Sequence, residues 1–256
     1  RLLHECRLPA QAAASGHFLA PTLIQVTGIA DIEREVFGPV LHVATFEADE
    51  LDATIDAINA RGYGLTFGLH TRIDGRVQHV AERVRAGNLY VNRNQIGAIV
   101  GSQPFGGEGL SGTGPKAGGP RYLARFRALP APPAEAEAPA PGGPLEAPAL
   151  AARLARATGA GATLEAQSLP GPTGESNRLV RVARAPLLCL GPGAGAAGAQ
   201  ARAVRALGGA AVEAPEALAP EALTTLEGFA GALWWGDEAT GRTLARALAA
   251  RHGPIL

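Results

Sequence analysis

"VLHVATFEADELDATIDAINARGYGLTFGLHTRIDGRVQHVAERVRAGNLYVN" spans residues 40–92, and its apolar spacing changes back and forth between strand-like and helix-like. "VLHVATF" (40–46) is β-branched and apolar and reads as a buried strand. The next segment offers Asp49 as a helix N-cap, places Leu51, Ile55 and Ile58 on one face, and has Gly62 near the stop. "LTFGLHT" (65–71) is a second strand. "DGRVQHVAERVRAG" (74–87) carries Val77, Val80, Ala81 and Val84 at helical spacing and ends at Gly87, after which "NLYVN" (88–92) is a third strand. Strand, helix, strand, helix, strand implies right-handed crossovers in a largely parallel sheet, hence an α/β fold.

Beyond the third strand lies "GSQPFGGEGLSGTGPKAGGP" (101–120), with eight glycines in twenty positions where average usage gives about 7%. A slack linker would alternate Gly with Ser. Here the glycines are interleaved with Pro104, Phe105, Leu110, Pro115 and Lys116, which predicts a shaped loop at the strand end where α/β folds bind ligands. A phosphate loop is a poor fit, because Lys116 follows Pro115 and precedes Ala117. On the other side of the quoted segment, "EVFGPV" (35–40) sets an acid, an aromatic ring and a stiff Gly-Pro turn before the first strand. Its Glu35 carboxylate can accept from both hydroxyls of a ribose, and Phe37 can face the attached heterocycle. Equally, Glu35 can be a solvated turn residue.

Residues 127–150, rich in Pro, Ala and Glu, read as a semi-rigid linker. A second α/β pattern follows: "RLVRVAR" (178–184) and "PLLCL" (186–190) as strands, a helix over 196–207, "AAV" (210–212), "ALWWG" (232–236), a helix over 238–251, and a final "PIL" (254–256) that starts another strand. The expected division is 1–126, a linker over 127–150, and a second, truncated Rossmann-like domain over 151–256. Gly193, Gly195 and Gly198 stand in G-x-G-x-x-G spacing, with Glu213 where a ribose-binding acid belongs. That spacing is either a dinucleotide fingerprint or a strand–helix turn in an Ala- and Gly-rich sequence.

The 256-residue chain balances 23 basic against 23 acidic residues, so no field marks it for nucleic acid or a membrane surface. The basic side is nearly all arginine. Cys6 and Cys189 have no partners at metal-ligand spacing, no metal site is expected, and a reduced, cytoplasmic chain is the default. The six histidines are scattered and read as structural, and Trp234 and Trp235 read as core. Arg1 at the start, the absence of methionine, and the ending "HGPIL" suggest a piece of a longer polypeptide.

"EVFGPV", followed 65 residues later by "VGSQPFGGEGLSGTGPKAGGPRYLARF" (100–126), resembles the C-terminal half of an aldehyde dehydrogenase. The extended "NLYVNRNQIGAIVGSQPFGGEGLSGTGPKAGGP" (88–120) is similar to the L-glutamate γ-semialdehyde (1-pyrroline-5-carboxylate) dehydrogenase part of the proline utilization A family. The resemblance covers residues 8–126. It continues more weakly through "LPGPTGESN" (169–177) into the non-catalytic aldehyde-dehydrogenase-like domain of the longer members, which argues against the dinucleotide fingerprint.

The resemblance implies NAD as coenzyme, with Glu35 on the nicotinamide-ribose hydroxyls and Phe37 near the nicotinamide. It further implies that Gly97 and Ala98 offer backbone N–H groups to the substrate carboxylate and that Phe105 covers the substrate's aliphatic stem. In this reading the loop glycines let the backbone approach a small amino-acid aldehyde. The substrate would be glutamate γ-semialdehyde, oxidised to glutamate in proline catabolism by a homo-oligomer. FAD would belong to a proline dehydrogenase part that is absent here, and the parent could associate peripherally with membranes. The family's nucleophilic cysteine, in a G-Q-x-C-S context, is missing, so no catalytic residue is assigned. Two alternatives stay open: a dehydrogenase of another aldehyde, and a non-catalytic scaffold or oligomerisation module.

Overall fold

The computed structural model describes residues 1–112, 114–127, 145–157, 163–216 and 218–251. Most of the expected linker (128–144) and the terminal "PIL" lie outside the described residues. From the N-terminus run β1 (Leu2–Glu5), α1 (Ala10–Ser15), β2 (Thr22–Gln25), β3 (Val40–Val43), α2 (Leu51–Ala60), β4 (Tyr63–Gly64), β5 (Thr66–Leu69), α3 (Asp74–Arg83), β6 (Asn88–Val91) and β7 (Glu108–Gly109). There follow α4 (Ala147–Arg156), β8 (Thr163–Leu169), β9 (Asn177–Val182), β10 (Leu187–Cys189), α5 (Gly193–Ala206), β11 (Ala211–Glu213), α6 (Ala222–Thr225), β12 (Gly231–Leu233) and α7 (Glu238–Ala249). The chain forms two compact units, one of Arg1–Gly62 with Leu69–Arg85 and one of Tyr63–Gly68 with Ala86–Leu256, so the units divide differently from the expected domains.

In the first unit β2 is central, antiparallel to β1 and parallel to β3. The expected single, largely parallel sheet is corrected: among the described residues β3 pairs only with β2, β5 pairs with β6, and β4 pairs antiparallel with β7. The reason is visible in β3, where Val40 and His42 are half-buried while Leu41 and Val43 are exposed. Strands of a parallel sheet are buried on both faces, whereas this strand is covered on one face and pairs on one side only, with β2. The buried strand expected over 40–46 is therefore a four-residue edge strand.

Helix α2 buries Ile55, with Leu51 and Ile58 half-buried on the same face as expected. Its capping differs. A 3₁₀ turn over Ala48–Glu50 precedes it, and Glu47 and Glu50 cap that turn reciprocally, so the side-chain cap lies two residues before Asp49. Gly62 ends the helix in the left-handed region (φ 77°), where glycine carries no Cβ penalty. Helix α3 buries Val80, leaves Ala81 exposed, and stops at Arg83 rather than at Gly87. Asn59 explains the early stop: its amide donates to Arg83 O (2.9 Å) and its carbonyl accepts from Arg85 N (2.8 Å), satisfying the helix end from α2.

In the second unit β10 is the centre of a parallel sheet of order β11-β10-β12. Leu188 and Leu190 face Leu150 and Leu154 of α4, Leu223 of α6 and Leu244 of α7, while Cys189 faces Ala197 and Ala201 of α5. Helices thus cover both faces, and the small alanines of α5 bring that helix close to the sheet. Helix α4 begins at Ala147, inside the stretch expected to be linker. Of the two tryptophans, Trp234 packs on the core but Trp235 is 48% exposed, which corrects its core assignment.

Arg153 fastens α4 through a two-pronged bond to Glu216 (2.6 and 3.1 Å) and a third to Glu213 O (3.0 Å). The guanidinium holds the Glu216 carboxyl below its ordinary 4.5. A depressed carboxylate contributes stability that is present above the unfolded value and lost as pH falls through the folded one. We expect Glu216→Gln to lower the urea midpoint at pH 7 by the equivalent of about 1 kcal/mol. In a denaturation series the difference from the parent protein should shrink as pH falls below the unfolded carboxylate value and vanish only once pH is below the depressed value of the folded protein, where Glu216 is neutral too.

Candidate functional site

The glycine loop is held by one side chain that sequence reasoning passed over. Lys116, the chain's one lysine among 23 basic residues, donates to Gly87 O, to Asn88 Oδ1 (3.1 Å) and to Gly106 O (2.6 Å). Burial pulls its ammonium below the ordinary lysine value, with the Glu108 carboxylate opposing. Asn88 completes the arrangement: its Nδ2 donates to Pro104 O (3.0 Å) and its Oδ1 also accepts from Gly106 N (3.2 Å). The start of β6 and the segment 104–106 are therefore tied by side chains as well as by chain connectivity. Phe105 is half-buried, and its backbone exchanges two hydrogen bonds with Ala117 (3.0 and 2.8 Å).

At three positions the protein's own backbone requires glycine. A Cβ on Gly87 would lie 1.9 Å from Gly106 O, one on Gly107 2.4 Å from Ser111 O, and one on Gly112 2.2 Å from Gly107 O. These positions are glycine because the loop packs its own backbone strands against one another.

Between β6 and that loop, residues 92–103 form a second, smaller turn system. Asn92 (φ 55°) and Gly97 (φ 71°) are both left-handed. The Gly97 carbonyl accepts from Tyr90 Oη (3.1 Å), Asn94 Oδ1 accepts from Ile96 N (3.1 Å), and the buried Gln103 accepts from Ile99 N (3.1 Å) through Oε1. No acceptor among the described residues takes the N–H groups of Gly97 and Ala98. Two successive free N–H groups next to a left-handed glycine are the main-chain arrangement that binds anions. Arg93, the side chain that could compete for an anion, is engaged: its Nη1 donates to Glu175 Oε2 (3.0 Å) and its guanidinium carbon lies 5.1 Å over the Tyr90 ring.

Glu35 and Phe37 lie in the first unit, on the extended turn before β3. Phe37 is 93% exposed, and no hydrogen bond or ion pair engages Glu35 among the described residues. The G-x-G-x-x-G segment looks different. Gly193 is left-handed (φ 68°), a Cβ on Gly195 would meet nothing, and the buried Gln200 bonds both the N–H and the carbonyl of Gly191 (3.0 and 2.8 Å). Gln200 of α5 ties the turn at Gly191, and Glu213 is paired with Arg205 (3.2 Å). Cys189 is fully buried and its thiol is raised by that burial; Cys6, exposed at the end of β1, sits 3.8 Å from His4 Nε2.

The sequence pattern of the aldehyde dehydrogenase family matches residues 1–129, half of the chain. The chain belongs to that family. It is 43% identical over 271 aligned residues to bifunctional protein PutA of Rhizobium meliloti, covering 94% of this chain and 22% of that protein. It is 42% identical over 117 residues to 1-pyrroline-5-carboxylate dehydrogenase of Bacillus subtilis, covering 43% of this chain and 21% of that one. A crystal structure of Bradyrhizobium japonicum proline utilization A is 52% identical, covering 49% of this chain and 12% of that one, with a TM-score of 0.46. The chain spans about a fifth of the length of the curated relatives it matches.

In this chain Gly97, Ala98 and Phe105 fall in the second unit and Glu35 and Phe37 in the first. Lys116, Asn88, Gln103 and Glu175 were missed. For Lys116 a signal existed, since a lone lysine in an arginine-rich chain marks a place where a compact ammonium suits three converging oxygens and a planar guanidinium does not. We expect Lys116→Met to cost about 2–3 kcal/mol by stranding those oxygens. Lys116→Arg should not restore stability, because the fork cannot enter the same cage. Thermal melting of the three proteins checks both, and a Lys116→Arg variant as stable as the parent would show that charge alone matters.

Proposed function

We propose that this chain carries the substrate-anchoring and coenzyme-ribose residues of an NAD-dependent L-glutamate γ-semialdehyde dehydrogenase acting in proline catabolism. The relatives' names and the matched family support the reaction class. The observation that carries the substrate assignment is the pair of unengaged N–H groups at Gly97 and Ala98 beside an arginine already neutralised by Glu175. An aldehyde bearing an α-amino acid group presents a carboxylate, and two adjacent N–H donors would fit it without burying a full positive charge. Phe105, fixed by its two backbone bonds to Ala117, would cover the substrate's methylenes.

Glu35 and Phe37 fit NAD: an unengaged carboxylate and a fully exposed ring, two residues apart, match a ribose diol and the heterocycle it bears. When bound, NAD supplies the hydride acceptor. Glu35 would accept from both ribose hydroxyls, and Phe37 would limit the tilt of the nicotinamide. Aldehyde oxidation by covalent catalysis also needs a positioned thiolate. Cys189 is sealed in a core and Cys6 lies on an edge of a small sheet, so we place the nucleophile in sequence preceding Arg1 of the full-length gene product. In this reading residues 151–256 are the non-catalytic terminal domain. The β8–β9 ribbon, which pairs with no third strand among the described residues and exposes Val180 and Val182, supports a homo-oligomer.

The test uses the full-length gene product with two substrates, glutamate γ-semialdehyde and a simple aldehyde without a carboxylate. Ala98→Pro deletes one donor and should lower kcat/KM for the semialdehyde at least about tenfold, the loss of a charge-assisted bond, while sparing the simple aldehyde. Equal losses on both substrates would count against the main-chain anchor. Separately, Glu35→Gln should raise the KM for NAD by a comparable factor, and Gly195→Ala should leave it unchanged. The opposite result for that pair would move the coenzyme site to the terminal domain.

A further inference from the structure

The turn of the β8–β9 hairpin reaches the loop that follows β6, and one carboxylate makes the connection. Glu175 Oε2 takes Arg93 Nη1 (3.0 Å), and Glu175 Oε1 takes Gln103 Nε2 (2.8 Å) and Asn177 Nδ2 (3.0 Å). Asn177 also donates to Pro170 O (3.2 Å), and Gln103 Nε2 approaches Asn177 Oδ1 at 3.4 Å. Gln103 is 8% exposed, one of two buried polar side chains among the described residues, so leaving its amide unpaired would be costly. Glu175 and Arg93 are each about three-quarters buried, at 25% and 26% exposure.

The loop's two ends are gripped by the same group. Arg93 stands just after the left-handed Asn92, and Gln103 closes the far side by accepting from Ile99 N and returning its own N–H to Ile99 O (2.9 Å). Between these fixed points lie Gly97 and Ala98. The turn that carries Glu175 is itself constrained: Gly174 is left-handed (φ 86°), a Cβ on Gly171 would sit 2.5 Å from Asn177 Nδ2, and Glu175 N donates to Pro172 O (3.0 Å).

We propose that Glu175 is a positioning residue for the anion-binding loop, its carboxylate holding Arg93 and Gln103 so that the Gly97 and Ala98 amides keep the orientation that receives the substrate carboxylate. The inference rests on the substrate reading above and adds a second effect. With Arg93 neutralised, the loop presents N–H dipoles and no free guanidinium, so it selects a carboxylate by geometry rather than by net charge. Removing Glu175 both loosens the loop and releases a competing cation.

Hydrogen exchange and steady-state kinetics on the full-length gene product test this together, with Glu175→Gln, Glu175→Ala and, as a hairpin control, the exposed Arg178→Ala. The hydrogen-bonded loop amides of Ile99 and Gln103 should exchange at least about tenfold faster in Glu175→Ala, less so in Glu175→Gln, which can still accept from Gln103, and at the parent rate in Arg178→Ala. The KM for glutamate γ-semialdehyde should rise in the same order with little change in kcat, and the KM for a simple aldehyde should not move. Unchanged exchange in Glu175→Ala overturns the proposal, as does faster exchange with an unaltered preference between the two aldehydes. A parent protein that ignores the semialdehyde would sink the substrate reading alone, because the exchange rates still decide whether Glu175 holds the loop.

Discussion

The local structure around the candidate site depends on a single half-buried ammonium. Lys116 gathers oxygens from Gly87, Asn88 and Gly106, and Asn88 reaches on to Pro104, so four points spread over thirty residues converge on one charge. Three acceptors around an ammonium satisfy its three donors, which is why the group can be withdrawn from water. One glycine is set beside that charge: Gly87 O and Gly106 O both accept from the ammonium, and a Cβ on Gly87 would lie against Gly106 O, while Gly107 and Gly112 are crowded by the turn through Ser111.

A second charge decision sits a few residues away. An arginine next to an anion site would ordinarily be assigned as its ligand, since a guanidinium matches a carboxylate in both charge and spacing. Here that valence is spent internally on Glu175, with Tyr90 under the guanidinium plane. The available donors are then main-chain N–H groups, whose direction is set by backbone dihedrals and whose strength does not vary with pH. Such donors are only as good as the rigidity of their loop, so under the proposed reading the supports from Tyr90, Gln103 and the hairpin turn would be part of recognition.

Much of the helical architecture was legible in the sequence. Ile55 and Val80 announced the buried faces of α2 and α3, and Leu244 and Ala201 lie on helices whose spans were expected to within a few residues. Sheet partnership was not legible. Val40–Val43 has the composition of a two-faced buried strand, and only its pairing with β2 alone among the described residues makes it an edge. The site residues divide the same way. Gly97, Ala98 and Phe105 could be singled out through family resemblance, but Lys116 to Gly87, Gln103 to Glu175 and Gln200 to Gly191 are polar contacts between positions with no periodic relation. Hydrophobic spacing carries no information about them, and each becomes visible only when the fold brings its partners into range. Gly195, conversely, satisfied a motif and met nothing.

The central claim is that a substrate carboxylate is taken by backbone N–H groups while Arg93 stays on Glu175. A crystal structure of the full-length gene product with glutamate bound would test it most directly. The account predicts the ligand's α-carboxylate within hydrogen-bond distance of the Gly97 and Ala98 nitrogens, with the Arg93–Glu175 pair intact. An Arg93 side chain swung away from Glu175 and forked onto that carboxylate would contradict it.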